Sequence, residues 1–201
     1  MRRLPYLDQR PIMVALTGPN GSGKTTFYHM LLEPAGLRFI NADLLARELH
    51  VDAYQAANLG DAIRRALVGQ GESFVFETVF SDPVGDKRRF LQDAVRAGYT
   101  VVVYYIGVSS PTVSEERVAL RVAKGGHDVP TDKLVSRFPR TLSNLMAPFK
   151  SSRTSSCSIT RTWTPHSGTW RRSRMGKRSK CTSPFRGGCV LRCFNSPSTC
   201  S

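Results

Sequence analysis

The sequence predicts an α/β fold in which a mainly parallel sheet lies between two layers of helices. Two observations predict it. Short apolar runs alternate with amphipathic segments of helical period through the first 150 residues, and the first apolar run leads directly into a glycine-rich loop. A helix that follows a strand and precedes a parallel neighbour has to cross back over the sheet, so the alternation predicts helices on both faces.

Four segments have the composition of buried strands, and six have that of helices. The strands are predicted at 12–16, 38–41, 74–77 and 99–108. The helices are predicted at 25–32, 43–49, 52–68, 86–97, 112–122 and 132–145. Pro34 and Gly36 stop the first helix, and the glycines at 69 and 71 stop the third.

The chain changes composition after Lys150. Residues 1–150 carry 19 Lys and Arg against all 15 Asp and Glu, whereas residues 151–201 carry 10 Lys and Arg and no acid, so most of the net charge of +14 belongs to the tail. All five cysteines also lie there. We therefore expect one folded domain at 1–150 and a basic Ser/Arg/Cys-rich tail at 151–201 that is irregular or disordered, without a fixed fold.

The expected compartment follows from two absences in the sequence. No apolar run reaches the roughly 18 residues that a membrane helix needs, and no apolar stretch follows the basic residues at the start of the chain before Pro11. The odd cysteine count does not suit a disulfide framework, and Cys189 and Cys193 lack the paired spacing of a zinc site. We expect a cytoplasmic protein without a membrane partner.

The loop after the first strand fits the phosphate-binding pattern G-x-x-x-x-G-K-[ST]. Its glycines allow backbone N–H groups to surround phosphate oxygens, Lys24 is expected to reach the β and γ phosphates, and Thr25 is expected to ligate magnesium at the start of a helix. The expected nucleotide-binding residues are Gly18, Pro19, Asn20, Gly21, Ser22, Gly23, Lys24, Thr25 and Thr26. The sequence therefore predicts a site for ATP and Mg²⁺.

Carboxylates follow the second and third strands, at the sheet edge where an open parallel sheet binds its ligands. Asp43 is the candidate base that aligns an acceptor hydroxyl; the alternative is that it only caps the helix beginning there. Glu77 and Thr78 are candidates for holding a sugar or nucleoside hydroxyl, and the alternative for Glu77 is a solvated acid at the end of a strand.

Two pairs of arginines flank a turn-rich segment at 125–130 that has the features of a lid. Arg117 and Arg121 lie four apart on one predicted helix, and Arg137 and Arg140 lie three apart on the next. Because guanidinium groups stabilise a transferring phosphoryl group, these four are candidates for that role or for substrate binding. Single surface arginines are common, so the evidence is their pairing around the lid.

The quoted segments together resemble one known family. They are GPNGSGKTT at 18–26, INADLLA at 40–46, SFVFETVFS at 73–81 and RVALRVAKGGHDVPTDKLVSRFPRTLSNL at 117–145. This set resembles the zeta-toxin-like branch of P-loop kinases. The similarity extends over nearly the whole of 12–145, which makes it more specific than the phosphate loop alone.

The resemblance implies phosphoryl transfer from ATP, in the characterised toxins to the 3′-hydroxyl of a UDP-N-acetylsugar. It implies that Asp43 is the base, that Glu77 and Thr78 lie on the substrate side with Arg117, and that Arg121, Arg137 and Arg140 are catalytic, although which arginine of each pair acts stays open. No antitoxin-binding segment is recognisable, and the lid belongs to a sub-branch whose acceptor need not be the toxin substrate. We therefore expect a kinase, with a nucleotide-sugar and an antitoxin as partners that the resemblance suggests.

The family pattern stops after Lys150, which suggests a shifted reading frame. TGG for Trp163 followed by ACN for Thr164 reads, in the other frame, as NTG and then GAC, so that an apolar residue precedes an obligatory aspartate. With serine taken as TCN, the serine-rich stretch before it becomes apolar, as a final strand requires. The alternative is a genuine basic tail that binds nucleic acid.

Two functional hypotheses follow. The leading one is an ATP-dependent kinase that transfers the γ-phosphoryl group to a hydroxyl of a small molecule. The other is a nucleic-acid-binding NTPase or a non-enzymatic basic protein that uses its tail, which we consider the weaker because the charge lies outside the domain.

Overall fold

The computed structural model describes residues 5–108, 110–123 and 129–146, and three strands of the tail at 156–163, 170–171 and 188–195. Side chains are described for 7–108, 110–123 and 129–145. The domain is a three-layer α/β/α structure around a mainly parallel sheet, which confirms the fold class expected from the sequence.

Four parallel strands form the centre of the sheet. They are β1 (Ile12–Thr17), β2 (Arg38–Ile40), β3 (Phe74–Thr78) and β4 (Thr100–Ile106). The strand β1 lies between β3 and β4 and is buried along its whole length, and β2 pairs with the other side of β3. Because all four run in the same direction, their carboxyl ends meet at one edge of the sheet.

Six helices connect or follow these strands. They are α1 (Lys24–Phe27), α2 (Ala42–Leu49), α3 (Ala53–Gly69), α4 (Asp86–Arg96), α5 (Pro111–Val122) and α6 (Thr131–Met146). The helix predicted at 25–32 is regular only in its first turn and continues as a π-helical turn (Tyr28–Leu32) and a 3-10 turn (Glu33–Ala35). Pro34 has no N–H to donate and its ring crowds the carbonyl four residues earlier, which disfavours a regular α-helix at this point.

The core has two parts because side chains alternate across each strand. On one face, Met13, Phe74 and Val103 pack with Leu67 of α3 and Leu91 of α4. On the other face, the strand side chains that alternate with these pack against Phe27, Tyr28 and Leu32 of the segment after the phosphate loop; the strand side chains include Val14, Leu16, Val75 and Val102. Both faces of the sheet are therefore covered, as the predicted alternation requires.

The tail adds antiparallel strands to this sheet. They are β5 (Ser156–Trp163), β6 (Trp170–Arg171) and β7 (Gly188–Asn195), and the order across the sheet is β2-β3-β1-β4-β7-β5-β6. The strand β7 pairs antiparallel with β4. We expected the tail to be irregular, without a fixed fold; these three segments are strands, and the rest of the tail lies outside the described residues.

Replacing a buried leucine of α4 tests the packing of the helical layer on the sheet. Leu91 is fully buried in the core, so Leu91→Ala is expected to lower the free energy of unfolding by about 2–5 kcal/mol. Leu120 of α5 is 64% exposed, and Leu120→Ala is expected to change it by less than about 0.5 kcal/mol. Urea denaturation followed by circular dichroism measures both, and equal losses would contradict this packing.

Candidate active site

The phosphate loop connects β1 to α1 and depends on glycine at specific positions. Gly18 has φ 141°, and a Cβ there would overlap the carbonyl oxygen of Ile106 at the end of β4. Gly23 has φ 94° and precedes α1, and a Cβ there would meet nothing within 4 Å. Only glycine adopts these backbone angles without strain, and the loop thereby lies close to β4 and stays open beside Gly23.

The side chain of Lys24 folds back over this loop. Its Nζ donates hydrogen bonds to the carbonyl oxygens of Gly18 and Pro19, each at 3.0 Å, and lies 3.6 Å from Oε1 of Glu77. The side chain is only 5% exposed. Burial lowers the pKa of Lys24 below its ordinary value, while the charges of Glu77 and Asp43 act in the opposite direction. The ammonium is thus held at the centre of the loop by carbonyl and carboxylate oxygens.

Glu77 connects the phosphate loop to the end of β2. Its Oε2 accepts hydrogen bonds from Oγ1 of Thr25 and from Nδ2 of Asn41, both at 2.9 Å. Together with the approach of Lys24 to Oε1, these contacts direct both carboxylate oxygens towards the loop. The sequence analysis placed Glu77 on the substrate side; its described contacts are with the phosphate-binding residues and Asn41.

The N-cap of α2 is Asn41, so the side chain of Asp43 is not the cap of this helix. Oδ1 of Asn41 accepts hydrogen bonds from the backbone N–H groups of Asp43 (2.8 Å) and Leu44 (3.2 Å). The alternative in which the Asp43 side chain caps the helix does not hold, because Asn is an equally good cap and lies at the position whose backbone is extended. The Asp43 carboxylate instead lines the cleft.

One cleft of about 850 Å³ brings most of the candidate residues together. The site residues expected from the sequence that line it are Asn20, Gly21, Gly23, Lys24, Thr25, Thr26, Asp43, Glu77, Thr78, Arg117, Arg121, Arg137 and Arg140. Gly18, Pro19 and Ser22 belong to the loop but do not line the cleft. Residues as far apart in sequence as the loop and α6 thus share one cavity, as expected from the meeting of strand ends.

The four arginines have different surroundings. Arg117 of α5 packs against Gly21, and its guanidinium lies 3.5 Å from the Gly21 carbonyl oxygen. The positive charge of Arg121 is close enough to contribute to the lowered pKa of Lys24. The side chain of Arg140 bonds Ser136 one turn earlier on its own helix. Residues 124–128, which include most of the predicted lid, lie outside the described residues.

The wall that follows β3 is held by α6. Thr78 Oγ1 accepts a hydrogen bond from the backbone N–H of Phe80, so this hydroxyl stabilises the turn after the strand. Thr141 donates to the carbonyl oxygen of Val79, and Nδ2 of Asn144 donates to the carbonyl oxygens of Phe80 and Asp82. The described role of Thr78 is therefore to shape the cleft wall.

Several polar residues of the cleft were not predicted from the sequence. Asn41 carries the signal of a good N-cap residue after a strand, which could have identified it. Asp61, Arg64 and Lys87 also line the cleft, as does Asp82. The three-residue spacing of Asp61 and Arg64 indicates an ion pair on a helix, but spacing cannot show that this face meets the cleft.

Two kinds of feature are absent from the described part of the chain. No helix in it is long and apolar enough to cross a membrane. Within the same residues, no group of three or more His, Cys, Asp or Glu side chains has an arrangement that could hold a metal ion.

Comparison with solved structures shows the fold. A candidate kinase from Chloroflexus aurantiacus is similar over 65% of this chain and 80% of its own, with 22% identity and a TM-score of 0.50. The Pnkp1/Rnl/Hen1 RNA repair complex is similar over 79% of this chain and 54% of its own, with 17% identity and a TM-score of 0.51. At these identities the likeness concerns the fold, and this chain spans about half the length of the second.

A further structure, of the PezAT toxin-antitoxin system of Streptococcus pneumoniae, covers 58% of this chain and 55% of its own at 20% identity, with a TM-score of 0.47. No curated protein matches the chain significantly. The sequence model of the family AAA_33, described as AAA domain, matches residues 13–138, which include the phosphate loop, Asp43 and Glu77. Because this match covers more than half of the chain, the protein belongs to the AAA_33 family, and its fold is that of a P-loop kinase-like domain.

Proposed function

We propose that this protein is an ATP-dependent small-molecule kinase that transfers the γ-phosphoryl group to a hydroxyl. The observation that carries the proposal is that Lys24 and the Asp43 carboxylate line the same cleft, where the charge of Asp43 acts on the Lys24 ammonium. A phosphate-binding cation and a candidate base in one cavity are what transfer to an acceptor requires, because the two substrates must meet there.

The loop provides polar atoms suited to a nucleotide phosphate. The hydroxyl of Ser22 is buried and has no hydrogen-bond partner among the described residues. Ser22 does not line the cleft, so the donor that the described structure presents to a nucleotide phosphate is the ammonium of Lys24, from which a phosphate oxygen accepts a hydrogen bond. These features support ATP as the phosphoryl donor.

The oxygen atoms of Thr25 and Glu77 fit a magnesium ion. Oγ1 of Thr25 and Oε2 of Glu77 are 2.9 Å apart at the start of α1, and hydroxyl and carboxylate oxygens are the ligands that Mg²⁺ prefers. When bound, the ion would neutralise charge on the β and γ phosphates. We therefore propose that Glu77 acts on the metal side of the site, with Asn41 fixing its carboxylate.

The proposed reaction is an in-line displacement. The acceptor hydroxyl oxygen forms a bond to the γ phosphorus, the bond from that phosphorus to the bridging oxygen of ADP breaks, and the hydroxyl proton passes to the Asp43 carboxylate. The arginines of α5 and α6 that line the cleft supply positive charge to the phosphoryl oxygens as transfer proceeds.

The sequence resemblance to zeta-toxin-like kinases supports the finer parts of the proposal. It favours a UDP-N-acetylsugar as acceptor and an antitoxin protein as partner. It also supports a shifted reading frame after about codon 150, because the matched family segments end before that point. Resequencing the gene against its source genome tests the last point, since an unchanged frame on both sides of codon 150 would exclude it.

Removing the ammonium or the candidate base tests the proposed reaction. Lys24→Ala is expected to lower kcat/KM by at least about 100-fold, and Asp43→Asn by about 100- to 10,000-fold, because each removes a group that acts in the transition state. A coupled assay of ADP release, with UDP-N-acetylglucosamine and with nucleosides as acceptors, measures both.

Asp93→Asn is the matched control for Asp43→Asn, because Asp93 is exposed on α4 and pairs only with Arg96 of the same helix among the described ion pairs. Its activity is expected to equal that of the wild type. ADP release that needs no acceptor, or that is unchanged in Asp43→Asn, would show hydrolysis or another chemistry and would overturn the proposal.

The role of Glu77 can be tested separately. If Glu77 acts on the metal side, Glu77→Gln is expected to raise the Mg²⁺ concentration for half-maximal ADP release by about tenfold and to leave the KM of the acceptor unchanged. Titration of Mg²⁺ at fixed ATP and acceptor measures this. A raised acceptor KM with an unchanged Mg²⁺ requirement would instead support the substrate-side role expected from the sequence.

A further inference from the structure

A second charged cluster lines the cleft, and the proposed phosphoryl transfer does not use it. It consists of Asp61 and Arg64 on α3 and Lys87 on α4, and we call it the α3–α4 cluster. Lys87 Nζ lies 2.6 Å from Oδ1 of Asp61, and the guanidinium of Arg64 contacts the same oxygen. All three residues open onto the cavity that also contains the phosphate loop and Asp43.

Arg64 is held rigidly for a charged residue. It is only 6% exposed, and its guanidinium lies over the ring of Phe76, 4.9 Å from the ring centroid. It packs beside Gly60, one turn earlier on α3, where a Cβ would be in ordinary van der Waals contact with Nη1 of Arg64 at 3.6 Å. The orientation of this guanidinium is therefore fixed by packing before any ligand arrives.

The cluster carries more positive than negative charge at close range. Two cations share one oxygen of one carboxylate, and both are largely removed from water. Burial, followed by the charge of Arg65, lowers the pKa of Arg64 to about 10, and burial, followed by the charge of Arg64, lowers the pKa of Lys87 to about 8. Buried cations are costly unless anions balance them. Asp61 contacts both cations and the charges of Asp82 and Asp86 only partly offset the effects of burial and of Arg64 and Arg65 on Lys87, so a ligand anion would be stabilised here.

We propose that Arg64 and Lys87 form the subsite that binds an anionic group, a phosphate or a carboxylate, of the acceptor whose hydroxyl is phosphorylated. The proposal rests on the proposed kinase function and names the class of its substrate. A planar guanidinium binds either anion through two parallel hydrogen bonds, and the ammonium of Lys87 adds a third donor. Asp61 competes with the ligand for the same two cations.

A purely structural cluster would have the opposite response to one substitution. If the three residues only joined α3 to α4, Asp61→Asn would weaken the contact between these helices and lower the affinity of the cleft for any ligand. If the cations bind an anion, Asp61→Asn removes their competitor and strengthens anion binding. The direction of this change therefore separates the two roles.

Calorimetric titration of the full chain saturated with Mg²⁺ and a non-hydrolysable ATP analogue tests the subsite without turnover, because the analogue occupies the phosphate loop. The anionic probes are N-acetylglucosamine 1-phosphate and gluconate, and their neutral counterparts are N-acetylglucosamine and glucitol. At least one anion is expected to bind about tenfold more tightly than its neutral counterpart. The pair with the larger ratio of affinities shows whether phosphate or carboxylate is preferred.

Variants locate the effect. Lys87→Met and Arg64→Lys are expected to lower the affinity for the preferred anion by about tenfold, and Asp61→Asn is expected to raise it. Arg96→Gln is the matched control, because Arg96 is exposed on α4, pairs with Asp93 and does not line the cleft. This variant is expected to bind the anion as the wild type does. Circular dichroism shows whether each variant is folded, and Lys87→Met keeps the experiment interpretable if the substitution of buried Arg64 unfolds the chain.

The affinity for the anion is expected to fall as the pH rises from 7 to 9. Lys87 loses its proton in that range, since its pKa of about 8 reflects burial and the nearby Arg64 and Arg65, partly offset by Asp82 and Asp86. The same titration at several pH values measures this, and the decline is expected to be absent in Lys87→Met. A decline of equal size in that variant would assign it to another group.

The subsite would be overturned if neither anion bound more tightly than its neutral counterpart, or if Arg96→Gln weakened binding of the anion as much as Lys87→Met. It would also be overturned if Asp61→Asn weakened the anion in a folded protein. These outcomes are independent of the proposed function. Anion-selective binding without acceptor-dependent ADP release would support the subsite and contradict the kinase function. Acceptor-dependent ADP release with equal binding of anions and neutral probes would support the kinase function and contradict the subsite.

Discussion

The site depends on the burial of the Lys24 ammonium. A cation that is 5% exposed has lost most of its hydration, and the carbonyl oxygens of Gly18 and Pro19 with the Glu77 carboxylate replace it. The parallel pairing of β1 and β3 makes this possible, because it places Leu16 beside Glu77 and Thr17 beside Thr78 at the end of both strands. The sheet register therefore fixes the carboxylate that the phosphate loop requires.

The same carboxylate extends the arrangement to the next strand. Asn41 donates a hydrogen bond to Glu77 through its amide nitrogen and caps α2 through its amide oxygen, so one side chain orients both the Glu77 carboxylate and the backbone of Asp43. This explains how a candidate base on a separate helix is held relative to the phosphate loop. The wall opposite depends on α6, which fixes the segment after β3 through Thr141 and Asn144.

The strands, the helices and the phosphate loop could be predicted from the sequence, whereas the arrangement of side chains in the cleft could be predicted only in part. The strands and helices were placed to within a few residues, because hydrophobic period and Gly or Pro stops act locally. The phosphate loop was predicted because its motif is contiguous. The direction in which the Glu77 side chain points, and the meeting of the residues of the α3–α4 cluster, both depend on contacts between different elements. Hydrophobic period and residue spacing do not specify such contacts. Strand β7 was not predicted. The other strands were predicted from apolar runs that alternate with amphipathic helical segments, and the tail has no such alternation.

The central claim is that the cleft transfers a phosphoryl group to a hydroxyl and does not simply hydrolyse ATP. It is tested most directly by incubating the chain with Mg²⁺, a small-molecule extract and ATP that carries ¹⁸O on its γ-phosphoryl group, followed by mass spectrometry. We expect the label in a phosphate ester of a small molecule, with the ester reduced by at least about 100-fold in Asp43→Asn. Label found only in inorganic phosphate would contradict the account.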